Sequence, residues 1–241
     1  MAHTRILALS SSRAGNSGYL ELAAPLIRGF LGNNPARIAF IPFASVDHKY
    51  EEYATRVKEA LAGIPQVIQT VLPANARSVI EDSDFIMTGG GNTFKLLHDL
   101  YRYEILEDIR KKVQAGTPYI GWSAGTNITG AGIGTTNDMP IVEPKSFKAL
   151  NLFPFQINPH YISLKMEGFN GETRDQRLEE FLQMNPGTNI MALPEGTALR
   201  LEAGLLTFDG QTPGVLFQSE KNGETSRQEI KEGTDLSFLM R

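Results

Sequence analysis

The 241-residue sequence predicts an α/β fold: a mostly parallel sheet with helices on both faces and antiparallel hairpins towards the C-terminus. Three observations carry this expectation. Short, nearly continuous apolar runs alternate with helical patterns through the first two thirds of the chain, as they do where strands are buried on both faces. Two glycine-rich segments, "TGGGNT" and "GWSAGT", each follow such a run directly, at the carboxyl end of a strand where ligands collect. After Ile141 the pattern becomes a run of short strands with glycine turns at Gly204 and Gly210, which suits hairpins closing one edge of the sheet.

"RILALSSS" reads as the first strand and "GYLELAAPLIRGFL" as the helix after it, weakened in its middle by Pro25. "ARIAFIPFA" is the next strand and "YEEYATRVKEALAG" the next helix. The strand "QVIQTVLP", a short helix over Ala76 to Glu81 and the strand "DFIMT" follow. "NTFKLLHDLY" and "EILEDIRKKVQAG" have helical spacing, and "PYIGW" is a strand ending at a serine. Later, "FPFQIN" reads as a strand, "ETRDQRLEEFLQM" as a helix, and "IMALP", "ALRLE", "LLTFDG" and "VLFQ" as strands. No repeat or linker interrupts this order, so a single domain over 1–241 is expected.

Composition narrows the function. Hydrophobic residues make up 41% of the chain, enough for a substantial core, and the net charge is only −4 with no block of like charge. Nucleic-acid and anionic-membrane partners are not expected. Cysteine is absent, which removes disulfides, thiolate metal sites and cysteine nucleophiles. "ILAL" is too short for a signal-peptide core and no apolar run approaches the roughly 20 residues of a membrane span. A cytoplasmic protein without cofactor or metal is expected, and H-E-x-x-H does not occur.

Gly121-Trp122-Ser123-Ala124-Gly125 fits G-x-S-x-G, a sharp strand-to-helix turn that needs small residues around an exposed hydroxyl. A structural glycine turn is the competing reading. A serine nucleophile needs a base, most often histidine, and the sequence offers four. His3 lies near a terminus, His98 sits within the helical "KLLHDL", and His48 falls among charges at a helix start. His160 in "INPHYIS" directly follows a strand, and elimination favours it. A catalytic imidazole also needs an acceptor on its second nitrogen. Asp138 in "TTNDMPIV" and Glu195 in "IMALPEG" are both placed for this, each with an ordinary turn role as the alternative. "TGGGNT" could present backbone N–H groups to an oxyanion. It has neither P-loop nor G-x-G-x-x-G spacing, so a phosphate cradle fits poorly.

Taken together, "GGGNTF", "GWSAGTN", "TTNDMPIV", "FPFQINPH", "GETRDQR" and "LPEGT" resemble peptidase E, the α-aspartyl dipeptidase family of serine peptidases that also includes cyanophycinases. "ALSSS" and "FIPFAS" agree more weakly. The resemblance implies a flavodoxin-like fold similar to class I glutamine amidotransferases, and hydrolysis of dipeptides bearing an N-terminal aspartate. It implies Ser123 as nucleophile, His160 as general base, and Gly91 and Ala124 as oxyanion donors. Asp138 and Glu195 both remain open as the third member. That no histidine follows His160 argues against an α/β-hydrolase, whose histidine comes late.

An aspartyl substrate calls for a fixed cation. In "GETRDQR", Thr173 and Gln176 form a capping box, which puts Arg174 in the first helical turn, where the macrodipole disfavours it. Glu172 and Asp175 could neutralise it at the surface, or it could pair with the substrate's carboxylate. Arg177, one turn on, is a weaker candidate. Asn92 and Asn127, beside the glycine turns, could orient substrate or simply serve as polar turn residues. The expected activity is a serine exopeptidase acting on Asp-X dipeptides, as a monomer or homodimer. The rivals are a cyanophycinase-like enzyme acting on other aspartyl compounds and a non-catalytic small-ligand-binding protein.

Overall fold

The computed structural model describes residues 4–163, 168, 170–220 and 224–241. In chain order the elements are β1 (Ile6–Leu9), α1 (Ala24–Leu31), β2 (Arg37–Ile41), α2 (Tyr50–Ala60), β3 (Val67–Thr70), α3 (Ala76–Glu81) and β4 (Phe85–Thr88). They continue with α4 (Thr93–Arg102), α5 (Leu106–Gln114), β5 (Tyr119–Trp122), α6 (Ala124–Asn127), β6 (Gln156–Asn158) and α7 (Arg174–Met184). The chain then runs through β7 (Asn189–Ala192), β8 (Ala198–Glu202), β9 (Leu205–Asp209), β10 (Gly214–Ser219) and β11 (Thr225–Ile230), and ends in a 3-10 turn over Ser237–Met240.

The central sheet has the order β3-β2-β4-β5-β1-β8-β9. Its first five strands pair in parallel, and β8 and β9 add an antiparallel hairpin beside β1. Strand alternation sorts its side chains onto two faces. Ile6 and Ala8 join the cluster containing Ile80, Leu97 and Ile109 from α3, α4 and α5, whereas Leu7 and Leu9 pack with Ile27 and Val57 from α1 and α2. The mostly parallel α/β expectation therefore holds.

A second sheet, β11-β10-β7-β6, departs from the expectation that every late strand closes one edge of the first. Only the β8–β9 hairpin does so, turning at Ala203 and Gly204, which both have positive φ. β10 is apolar on both faces: Leu216 joins the main core, while Val215 and Phe217 pack under Leu178 and Leu182 of α7. A strand of that kind needs cover on both sides, and β10 finds it between β7 and β11. β11, "TSRQEI", has no apolar alternation for a sequence reading to detect. Five of its six residues are exposed, and it is held as an edge by pairing with β10.

The helix expected across Pro25 starts at Ala24 instead, with Pro25 in its first turn. There the missing N–H would have no intrahelical partner in any case. The consequence for the site is topological. β4 and β5 are adjacent and parallel, so the segments after them, Gly89 to Asn92 and Ser123 onward, emerge side by side.

Candidate active site

Ser123 follows β5 with φ 53° and ψ −113°, a left-handed conformation costly for a residue with a Cβ. Its N–H donates to Leu9 O at 3.2 Å. The flanking glycines are required by contact: a Cβ on Gly125 would lie 2.2 Å from Thr88 O, and one on Gly121 2.5 Å from Gly125 O. Thr126 Oγ1 braces the turn, bonded to Leu9 O at 2.6 Å and Gly121 O at 2.9 Å. The hydroxyl of Ser123 is left to face outward.

The partner comes from the second sheet. β6 and β7 are parallel, with Asn158 opposite Ala192, so the segments leaving them, to His160 and to Glu195, run out at the same edge. His160 itself has φ 52°. Its Nε2 lies 2.8 Å from Ser123 Oγ and its Nδ1 2.8 Å from Glu195 Oε1. An ionised carboxylate can only accept, so Nδ1 carries the proton. Nε2 then presents its lone pair to the serine hydroxyl, which donates to it. This is the arrangement in which an imidazole can take a proton from a serine hydroxyl. The His160 and Glu195 side chains are 39% and 48% exposed, so the pair opens to solvent, and to a substrate.

Asp138 is engaged elsewhere. Its Oδ2 accepts the Thr93 N–H at 2.7 Å, at the start of α4, where an anion suits the helix dipole. The "NDMP" loop braces the two residues before the histidine through Asn137, whose Nδ2 donates to Pro159 O at 2.6 Å while its Oδ1 accepts from Asn158 Nδ2 at 2.6 Å. Asn92 caps α4, accepting from Lys95 N–H at 3.0 Å and donating to Met139 O at 2.9 Å. Asn127 is buried and donates to Ile157 O at 2.7 Å. Both asparagines thus have structural tasks.

Gly91 and Ala124 flank the Ser123 hydroxyl at the ends of the adjacent strands β4 and β5. Gly91 has φ 140°, and a Cβ there would sit 2.3 Å from Ala44 O, so the position admits only glycine. Among the described residues neither the Gly91 nor the Ala124 N–H has an acceptor in the protein. Beside them a cleft of about 470 Å³ is lined by Gly91, Ser123 and His160 together with Tyr19, Ser45 and Arg56. Among the described residues no group of three or more His, Cys, Asp or Glu could hold a metal ion.

Thr173 and Gln176 form the expected capping box at the start of α7. The acids that could have neutralised Arg174 are otherwise engaged: Glu172 lies 3.6 Å from Arg177, and Asp175 bonds Tyr161 Oη at 2.6 Å and pairs with Arg227 at 3.5 Å. Arg174 is half-buried and has no acid partner among the described residues. Burial, and then the neighbouring Arg177, hold its guanidinium below its usual pKa. A bound carboxylate would relieve both effects.

The profile of Peptidase family S51 matches residues 6–207. The chain belongs to this peptidase family. It is 47% identical over 235 residues to "Peptidase E" of Shewanella denitrificans, covering 97% of this chain and 98% of that one. It is 50% identical over 202 residues to "Peptidase E" of Haemophilus influenzae, covering 83% and 93%. The fold is shared with a solved peptidase from an acI-B1 Actinobacterium, at a TM-score of 0.60 and 16% identity, covering 99% of each chain.

Two residues of this S51 peptidase escaped the sequence reading. Ser10 Oγ, fully buried, donates to Leu193 O at 2.8 Å and accepts the His160 N–H at 2.9 Å. Ser11 Oγ accepts the Gly196 N–H at 3.2 Å. The "SSS" after β1 thereby ties the backbone of the second sheet to the central one. The signal was present in "ALSSS", but nothing local distinguishes its serines from one another. The other histidines are turned to other partners: His48 Nδ1 meets Tyr50 Oη at 2.9 Å and His98 Nδ1 meets Asp99 Oδ1 at 2.9 Å. His3 lies outside the described residues. No described helix is long and apolar enough to cross a membrane.

Proposed function

We propose that this S51 peptidase is a serine exopeptidase that hydrolyses dipeptides with an N-terminal aspartate through an acyl-enzyme. The observation that carries the reading is the unbroken hydrogen-bonded chain from Glu195 through His160 to Ser123, at 2.8 Å for each link. Ser123 Oγ attacks the scissile carbonyl carbon while His160 Nε2 takes its proton. The oxyanion is received by the Gly91 and Ala124 N–H groups, and Glu195, in preference to Asp138, steadies the imidazolium. Collapse breaks the C–N bond and His160 returns the proton to the leaving amine. Water, deprotonated by His160, then releases aspartate from Ser123.

Arg174 supports the aspartyl specificity, since a half-buried guanidinium with no acid partner among the described residues suits a substrate carboxylate. Arg177, paired with Glu172, has the weaker claim, and Asn92 and Asn127 shape the site through their backbone contacts. Balanced charge, with no block of one sign, fits an enzyme that works on free dipeptides rather than on a nucleic acid or an anionic membrane. Comparing hydrolysis of α-Asp-X, β-Asp-X and Leu-X dipeptides tests the reading. Cleavage of α-Asp-X alone is expected. Leu-X cleaved equally well would end the specificity claim, and preference for β-linked substrates would favour the cyanophycinase-like alternative.

A further inference from the structure

An Asp-X dipeptide carries a carboxylate on each side of the bond to be cut, and the proposed function gives one of them to Arg174, which stands outside the described lining of the Ser123 cleft. The second, the terminal carboxylate of the leaving residue, also needs a cation if the enzyme is to choose dipeptides over longer chains. Among the described residues lining the Ser123 cleft, Arg56 of α2 is the one arginine or lysine. It is exposed and makes no ion pair with any described acid. The one acid lining the cleft among the described residues, Asp47, has hydrogen-bond partners of its own: Ser45 Oγ donates to it at 2.6 Å and the Lys49 N–H at 3.1 Å, and these bonds, with smaller help from the Lys49 and Arg56 charges, hold its carboxyl below the usual range.

A free surface arginine is ordinarily too mobile to read a ligand, because ordering it costs side-chain entropy. Arg56 is constrained. Its guanidinium carbon lies 5.3 Å from the centre of the Tyr53 ring and 5.8 Å from that of Tyr19. Tyr53 is in turn fixed to the reacting groups: its hydroxyl donates to Gly90 O at 3.0 Å and accepts from Trp122 Nε1 at 3.2 Å. Gly90 precedes the oxyanion residue Gly91, and Trp122 precedes Ser123. The cation is therefore held by a ring bonded to both halves of the catalytic turn.

We infer that Arg56 binds the terminal carboxylate of the leaving residue, on the side of the scissile bond opposite the aspartyl side chain. The inference rests on the dipeptidase reading. Arg56 would then set the length of the substrate, as Arg174 sets its first residue.

The test is calorimetric binding of α-Asp-Leu and of α-Asp-Leu-amide to the Ser123→Ala protein, with and without Arg56→Gln. A preference for the free acid of about ten-fold or more is expected, as for one charge-assisted contact. It should vanish in the double variant while affinity for the amide stays unchanged. Equal binding of acid and amide by Ser123→Ala, or a preference that survives Arg56→Gln, overturns the inference. Hydrolysis of α-Asp-Leu by wild type is scored separately. Hydrolysis with an Arg56-independent preference removes Arg56 alone, and neither hydrolysis nor binding removes both readings.

Discussion

The two sheets contribute different chemistry to one site. At its carboxyl edge the central sheet offers Ser123 and the backbone N–H groups of Gly91 and Ala124, all without formal charge. The four-stranded sheet supplies His160 and Glu195, the ionisable pair, from the ends of β6 and β7. These two are the only strands of that sheet paired in parallel. The difference shows what parallel pairing contributes. An antiparallel β6–β7 hairpin would have sent its two ends to opposite edges, and no carboxylate of β7 could then have stood behind a histidine of β6. Ser10, bonded to the His160 N–H and to Leu193 O, sets the height of that pair against Ser123.

The largest expected effect comes from parting the sheets chemically. Ser123→Ala and His160→Ala should each lower kcat for α-Asp-X by on the order of ten-thousand- to a million-fold, and the double variant should be no worse than either alone. Additive losses would mean that the two side chains do not act as a unit. Glu195→Gln should cost about a hundred- to ten-thousand-fold in kcat, since an amide can no longer fix the tautomer of His160. A loss of that size in Asp138→Asn and none in Glu195→Gln would reverse their roles.

Arg174→Gln probes the helix that covers the second sheet. It should lower kcat/KM for α-Asp-X by about ten- to a hundred-fold, the value of one charged contact, without lowering any residual rate on Leu-X. The smallest effect belongs to the central sheet's side of the comparison. Asp138→Ala removes the acceptor at the start of α4 and should cost about 1 kcal/mol of stability. That corresponds to a fall in Tm of about 2–4 °C, with kcat nearly unchanged.

What could be read in advance follows the same division. The central sheet was legible because its signals are local. Apolar runs mark β1 to β5, α3 spans Ala76–Glu81 as its sequence suggested, and glycines announce the turns at Gly91 and Ser123. The second sheet was not, because its pairings are long-range. β11 is polar and exposed, and β10 reads equally well as the next edge strand of the first sheet. Asp138 and Glu195 are alike as turn carboxylates in sequence, and only the parallel register of β6 with β7 brings Glu195 to His160. Arg56 is an unremarked helix residue until α2 is seen to wall the cleft.

The central claim, that a histidine from one sheet activates a serine from the other, is tested most directly with a serine-directed phosphonate and mass spectrometry of the labelled peptides. The account predicts modification of wild type at Ser123, in step with loss of α-Asp-X hydrolysis, and little labelling of His160→Ala. Labelling of another residue, or Ser123 labelled just as fast in His160→Ala, would contradict it.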